Sequence, residues 1–506
     1  MLLAVAAAWL PGQLHASTTR WWLLGGVLPL VVAWRAPGSL TRWPVALIAL
    51  LAAWSAATAL WAPAPGAALR VALLHLGWAA ALAVGLAAST GDRRLLPRWV
   101  AAAALLVALP SLARPGGTFG NPTLLACFLA PTLVYGLASL PALPPRWRAL
   151  VVLSTAVQAL ALISTGSLGA AAAVATGLAL HVTLREPGSP WHPARLLALP
   201  AGALVLVLPG VGDHLAGRWQ LTRIVAAVAT DALPFGVGAG QLHGTFLERQ
   251  STAIAAGDAD PALWSNLVHA HNEPLQALVE LGLPGLVLLV PLVAALVGPR
   301  SPARAALAAA LTVALISPAL HEPATAALAF VCAGVCLGER AGRDGPPPTR
   351  GLTSPVARWR LLLLAPAALA TGHLLGDRLT VAASPEALRL AAALSLTPEP
   401  ALRAHADGLL PAHPTRARLL AEHAVHRTRT PAGLLLLARA HLAALEPHRA
   451  VAACEEAARL HPRLFAAWVD LALARAEAGD PHGARAAADR ARQLRPDDPR
   501  LRWLPR

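Results

Sequence analysis

The chain contains no lysine; all 41 of its basic residues are arginine, which makes rigid, bidentate guanidinium contacts rather than flexible ammonium ones. Charge of either sign is scarce, at 13% of 506 residues, about half of what a soluble globular chain carries. With 56% hydrophobic residues and a mean hydropathy of +0.56, the chain is too apolar for water, and the bilayer is its expected solvent. The net charge of +15 is therefore read as topology before nucleic-acid binding, and no nucleic-acid partner is expected. Cysteine is confined to Cys127, Cys332, Cys336 and Cys454, the first three inside apolar runs where sulfur packs as a small hydrophobe. Cys332 and Cys336 share a helix face but lack His or carboxylate companions at ligand spacing, so no metal site, disulfide framework or cofactor is expected. Residues 1 to 16 end in small residues like a signal peptide but lack a basic leading region, so a short first span is expected there.

What the chain has in quantity is apolar runs near twenty residues, the length that crosses a hydrocarbon core as a helix. They predict an all-α, polytopic transmembrane bundle of twelve or thirteen spans, from 2–15 through 21–35, 168–184, 196–211 and 304–317 to 359–376. The short connections alternate in charge as the positive-inside rule requires. One set carries Arg93, Arg94 and Arg98, then Arg146 and Arg148, Arg185 and Arg195, Arg300 and Arg304, and Arg340, Arg343, Arg350 and Arg358. That set is expected on the cytoplasmic side. The opposite set is nearly bare, holding Arg114 before Phe119-Gly120-Asn121-Pro122, and then Ser164-Thr165-Gly166-Ser167 and Ser317 to Glu322. The expected domains are an N-terminal bundle at 1–211, a large outer loop at 212–273, further spans at 274–376 and a small α-helical tail at 377–506. Loop and tail both fall on the bare side.

The tail carries an internal repeat of 34 residues. Pro447-His448-Arg449-Ala450 recurs as Pro481-His482-Gly483-Ala484, and Leu434, Leu437, Ala450, Ala457 and Pro462 recur as Trp468, Leu471, Ala484, Ala491 and Pro496. Small alanines let paired helices approach closely, with Gly479-Asp480 as the turn. This pattern resembles the tetratricopeptide repeat, a protein-interaction hairpin, and implies a protein partner for the tail. Residues 384–430 are expected to continue the stack as degenerate hairpins, since two repeats barely bury a core.

Chemistry concentrates in 212–273, where His, Arg and carboxylates gather in an otherwise apolar chain. The segment holds Arg218 and Arg223, then Asp231-Ala232-Leu233-Pro234-Phe235-Gly236-Val237-Gly238-Ala239-Gly240, and ends His269-Ala270-His271-Asn272-Glu273-Pro274-Leu275-Gln276, running into Glu280-Leu281-Gly282. The glycine series looks superficially like a dinucleotide loop, but it follows no predicted strand, so tight turning is its expected purpose. A His at near-neutral pKa suits abstraction of a hydroxyl proton without metal, and an Arg fork suits a leaving phosphate.

The Arg, the Asp-x-x-Pro-x-Gly-x-Gly-x-Gly block and the His-Asn-x-x-Leu-Gln-x-x-x-Glu-Leu-Gly block, with Phe119-Gly120-Asn121-Pro122 upstream, resemble the O-antigen ligase and polymerase superfamily over about residues 20 to 340. The resemblance implies transfer of a glycan from an undecaprenyl-pyrophosphate carrier to a lipid or glycan acceptor, or to a protein hydroxyl, at the outer face of the bacterial inner membrane. It implies His271 as catalytic base and Arg218 as pyrophosphate clamp, with Asn272, Arg223, Asn121 and His269 binding substrate. Blander readings stand beside these: His269 and His271, two apart, would share a face of an extended segment and cap the next helix, and Arg218 would anchor the segment at lipid headgroups. One departure is marked. Many members carry an Arg where this chain has Leu168; either Arg114 or Arg223 replaces it, or the chain is a catalytically silent membrane scaffold. A transporter is disfavoured because charges inside the spans are few.

Overall fold

The computed structural model describes residues 19–35, 42–114, 116–183, 211–298, 300–344, 363–382 and 384–504. The described residues are all-α. In chain order the helices are α1 (Thr19–Ala33), α2 (Trp43–Leu60), α3 (Pro65–Ala87), α4 (Thr90–Ala113), α5 (Pro122–Ala142), α6 (Pro145–Ser164) and α7 (Leu168–Thr183). Next come α8 (Val211–Ala232), α9 (Leu242–Ala255), α10 (Glu273–Leu296), α11 (Pro302–Ala314) and α12 (Pro323–Asp344). The C-terminal part is α13 (Leu364–Ala382), α14 (Pro385–Leu394), α15 (Glu399–Leu409), α16 (Pro414–Arg427), α17 (Pro431–Ala443), α18 (Pro447–Leu460), α19 (Phe465–Glu477) and α20 (Pro481–Leu494). Proline sits in the first turn of many of these, where its missing N–H costs nothing and its fixed φ starts the helix. Side-chain caps complete other starts: Ser89 forms a capping box with Asp92 at α4, and Asn121 and Ser301 cap α5 and α11.

Seven helices, namely α2 to α6, α10 and α12, are long and apolar enough to cross a membrane, the helix set of a membrane-embedded protein. This is fewer than the twelve or thirteen expected. The spans at 21–35, 168–184 and 304–317 form the shorter apolar helices α1, α7 and α11. Those at 2–15 and 196–211 lie outside the described residues, and 359–376 is described only from residue 363. The bundle's tightest crossing joins α3 to α12, where a Cβ on Gly85 would meet the Val331 carbonyl oxygen at 2.2 Å and one on Gly334 would meet that of Leu82 at 2.2 Å. Small residues at such crossings let membrane helices touch backbone to backbone.

The segment expected as a loop at 212–273 is instead built on helices α8 and α9. Beneath its polar density runs an apolar stripe, Leu221, Ile224, Val225 and Val228, at helical spacing. The turn 234–240 between these helices docks on the upper part of α10: Val237 and Gly238 donate backbone N–H to the carbonyls of Val279 (2.8 Å) and Glu280 (3.0 Å), and Leu283 donates to Pro234 (2.9 Å). Helix α10 breaks at Gly282 (φ 66°, ψ −154°) to allow this.

In the tail, α19 and α20 start 34 residues after α17 and α18. Ala450, Ala457, Ala484 and Ala491 are fully buried, as their spacing predicts. The tail is no free arm. It shares a continuous hydrophobic core with α8 and α9, through Phe246 and Leu247 on one side and Leu434, Leu435 and Phe465 on the other. Trp264 stacks on His461 with ring centroids 3.5 Å apart and donates its indole N–H to the Leu460 carbonyl at 3.2 Å. Burial holds His461 down at about 4, so the stack involves a neutral ring.

A Cβ on Gly282 would stand 2.0 Å from the Pro234 oxygen, at a left-handed φ. Gly282→Ala is therefore expected to destabilise the chain by about 1–3 kcal/mol or more. Gly217→Ala, inside α8 with nothing within 4 Å, is expected to be neutral or stabilising by up to about 1 kcal/mol. Apparent Tm of the detergent-solubilised chain separates the two, and equal shifts would refute this account of the break.

Candidate functional site

The polar groups converge at one end of the bundle, where α10 begins. Asn272 caps that helix, its Oδ1 accepting the Leu275 N–H at 2.9 Å. Glu273, buried in the first turn, accepts N–H groups of Leu320 (2.8 Å) and His321 (3.3 Å) on Oε1, while Oε2 stands 2.8 Å from His321 Nδ1. That last contact is close but poorly aligned as a hydrogen bond. One turn on, Gln276 Oε1 accepts the Ala270 N–H at 3.0 Å, which fixes the amide orientation. Its nitrogen then faces His269 Nδ1 (3.2 Å), His321 Nε2 (3.1 Å) and Glu280 Oε1 (3.3 Å). Assigned from this network, neutral His321 carries its proton on Nδ1, toward Glu273. Glu280 Oε2 accepts the Gly240 N–H at 2.8 Å, tying the glycine turn to the cluster. The imidazoles of His269 and His321 lie 4.6 Å apart.

His271 is held differently. Its backbone φ of 52° is left-handed, a strained conformation for a non-glycine residue that is worth about 1–3 kcal/mol. The left-handed backbone turn breaks the simple extended geometry in which His269 and His271 would share a face. His271 Nδ1 is buried and has no hydrogen-bond partner among the described residues. Burial first, and the nearby charge of Arg218 second, push His271 below its ordinary value. The structure thus brings His271 and Arg218 within electrostatic reach. Arg218 projects from α8 and donates to the Ile316 carbonyl at 2.7 Å, and Ile316 packs on Gly169, next to Leu168 at the head of α7. Arg218 therefore stands beside the position where the family resemblance expects another arginine.

The other expected site residues scatter. Asn121 caps α5, accepting N–H groups of Thr123 and Leu124. Arg223 bonds the Asp258 carbonyl in a cleft between α8 and α9, away from His271. Arg114 lies at the end of α4. His269, drawn in by Gln276, lies well below its ordinary value because of burial, with His321, Arg70 and His271 adding to the effect.

Three groups escaped the sequence reading. His321 and Glu273 form their pair across 48 residues. Beside them Arg20 and Glu322, both buried, pair at 2.7 Å, and the Arg20 guanidinium lies 4.3 Å from the Phe119 ring centroid. Arg70, on α3, points into a cavity of 1130 Å³ beside the cluster. The available signal was a single charge in an apolar run, which is rare without a purpose.

Burial opposes charge on His321, yet the Glu273 carboxylate, with Glu280 behind it, holds the imidazole above its ordinary 6.5. A raised folded value contributes stability that is full below 6.5 and lost as pH rises through the folded value. Glu273→Gln should flatten that alkaline loss in an apparent-Tm-against-pH profile. The depressed His269 and His271 act in the opposite window, losing stability as pH falls below 6.5, so the acid limb should survive in this variant. An unchanged alkaline limb would sink the assignment.

No protein-family model matches this chain, and no curated protein does.

Proposed function

We propose that this chain is a multi-pass protein of the bacterial inner membrane that transfers a glycan from an undecaprenyl-pyrophosphate carrier to an acceptor hydroxyl at the periplasmic face. The observation that carries the proposal is His271: a strained, half-buried imidazole with a buried, unpartnered nitrogen, held below its ordinary value by burial first and by the nearby Arg218 charge second, and so suited to accept a proton. Buried polar atoms without partners are rare, and one at the mouth of a polar cluster suits a substrate hydroxyl.

In the proposed step, His271 takes the acceptor hydroxyl's proton as its oxygen attacks the anomeric carbon. The bond from that carbon to the pyrophosphate oxygen breaks, and the electron pair leaves with the phosphate, whose developing charge Arg218 stabilises. Glu273, Gln276 and His321 act as positioning residues, fixing the chain around 269–273. The periplasmic orientation rests on the arginine asymmetry between the two sets of connections, and the tail, read as tetratricopeptide hairpins, lies on the same side because it packs on α8 and α9. Lipid A core, a growing glycan and a protein hydroxyl all remain candidate acceptors. A silent scaffold is the second reading, favoured by Leu168.

The test is a knockout complemented with wild type, His271→Ala or Arg218→Ala at matched protein levels, reading carrier-linked and surface glycans. His271→Ala should lower transfer by about 10²–10⁴-fold and Arg218→Ala by about 10²–10³-fold, with carrier-linked glycan accumulating. Full restoration by both variants would leave the scaffold as the better reading. In a purified assay the acid limb of the rate profile should lie below pH 6.5, and Arg218→Ala, removing a cause of the depressed value, should move that limb upward.

A further inference from the structure

The proposed chemistry leaves the 1130 Å³ cavity unassigned. It lies between the tail, α9 and the first turns of α3, and exceeds the usual size of about 300–1,000 Å³ for a small-molecule pocket. Four carboxylates line it, and each already has an arginine. Glu248 pairs with Arg459 at 3.0 Å, Glu422 with Arg418 at 2.9 Å, Glu399 with Arg403, and Glu456 with Arg429. Two lining cations differ: Arg70 and Arg427 have no ion pair among the described residues. Arg70 meets the Trp21 ring, 5.7 Å from its guanidinium carbon, and lies within electrostatic reach of Asp377. The cavity is thus lined by acids that already hold an arginine and by two guanidinium groups, Arg70 and Arg427, outside any ion pair among the described residues, so a negatively charged occupant would have no salt bridge to displace.

Its place matters as much as its charge. Gly240 lines the cavity and donates to Glu280 of the cluster, and the charge of Arg70 reaches both His269 and His321. Arg218, Ile316 and Leu168 lie outside the lining. The histidine cluster therefore has two arginines near it, Arg218 beside His271 and Arg70, in the wall of this cavity, near His269 and His321.

We infer that the cavity is an acceptor-side binding site for an acidic saccharide chain, whose carboxylate or phosphate group is held by Arg70 and whose far end meets Arg427. This rests on the transferase reading, in which the soluble partner must reach the histidines by a path the carrier does not use. Hydroxyl, imidazole and carboxylate groups of Thr245, Thr397, Thr428, His243, His426 and Glu248 line the walls and can bond sugar hydroxyls. The tail is then part of the substrate site itself.

The experiment titrates trigalacturonate, maltotriose and hexaglutamate into the purified full chain in lipid nanodiscs. Trigalacturonate should bind, and maltotriose more weakly. Arg70→Gln should weaken trigalacturonate by about tenfold or more, and Arg427→Gln, at an exposed position that does not threaten the fold, by a smaller factor. Arg218→Ala should leave this binding unchanged. Equal affinity in wild type and both cavity variants overturns the inference, and hexaglutamate binding more tightly than the trisaccharide overturns the saccharide class. If His271→Ala and Arg218→Ala keep full transfer in cells while Arg70→Gln still weakens trigalacturonate, the transferase reading fails and the cavity stands as a saccharide site.

Discussion

A membrane helix that stops being helical must find partners for the backbone groups it exposes, because hydrocarbon supplies none. Helix α10 does this at Gly282, and the turn 234–240 answers it. Val237 and Gly238 bond the carbonyls of Val279 and Glu280, and Pro234 accepts from Leu283. The approach leaves no room for side chains: a Cβ on Gly236 would meet Glu280 backbone atoms at 2.6 Å. Two stretches separated by some forty residues thereby become one object. The turn sets Gly240 on the Glu280 carboxylate, and Glu280 shares Gln276 with the two imidazoles of His269 and His321. Relaxing the break would loosen the whole polar cluster.

The same logic extends outward. The apolar residues of α8 and α9 join Val279 of α10 and the tail in one core, with α18 of the tail packing on α9. Arg459 adds contacts to Glu248 (3.0 Å) and Ser251 (3.2 Å), and Arg463 bonds the Ala262 carbonyl at 2.9 Å. The exposed ion pairs contribute little by themselves, so apolar burial and the Trp264 stack carry the docking. The tail's helical stack thus extends its own core by sharing it with α8 and α9.

Local signals were legible in proportion to how local the physics is. Apolar runs marked most bundle helices, and the alanine register marked α17 to α20. The repeat is imperfect at an informative place: Leu445, at φ 60°, occupies the left-handed position that Gly479, at φ 79°, fills one repeat later, so the turn glycine that marks one hairpin is missing from the other. The α8 stripe was hidden because its polar face reads as loop. Asn121 and Asn272 were legible as special, but their oxygens cap helices, and spacing cannot distinguish a cap from a ligand. Glu273 with His321 and Arg20 with Glu322 had no sequence signature at all, being distant in the chain; such pairing is fixed by which helix ends meet.

The Arg20–Glu322 pair bears on the substitution at 168. Both groups are almost wholly buried, and removing one partner of such a pair costs about 3–5 kcal/mol, so neither is available to a substrate without unfolding its surroundings. Arg20 therefore cannot replace a clamp at Leu168. Arg218 already reaches that place through the Ile316 carbonyl, where a second guanidinium would raise like-charge repulsion unless an anion lay between them. With one arginine there, less positive charge stands at that place than the family resemblance leads one to expect, and a further guanidinium, Arg70, lies near His269 and His321. The two arginines thus act at different places, each adding to the larger effect of burial: Arg70 on His269 and Arg218 on His271.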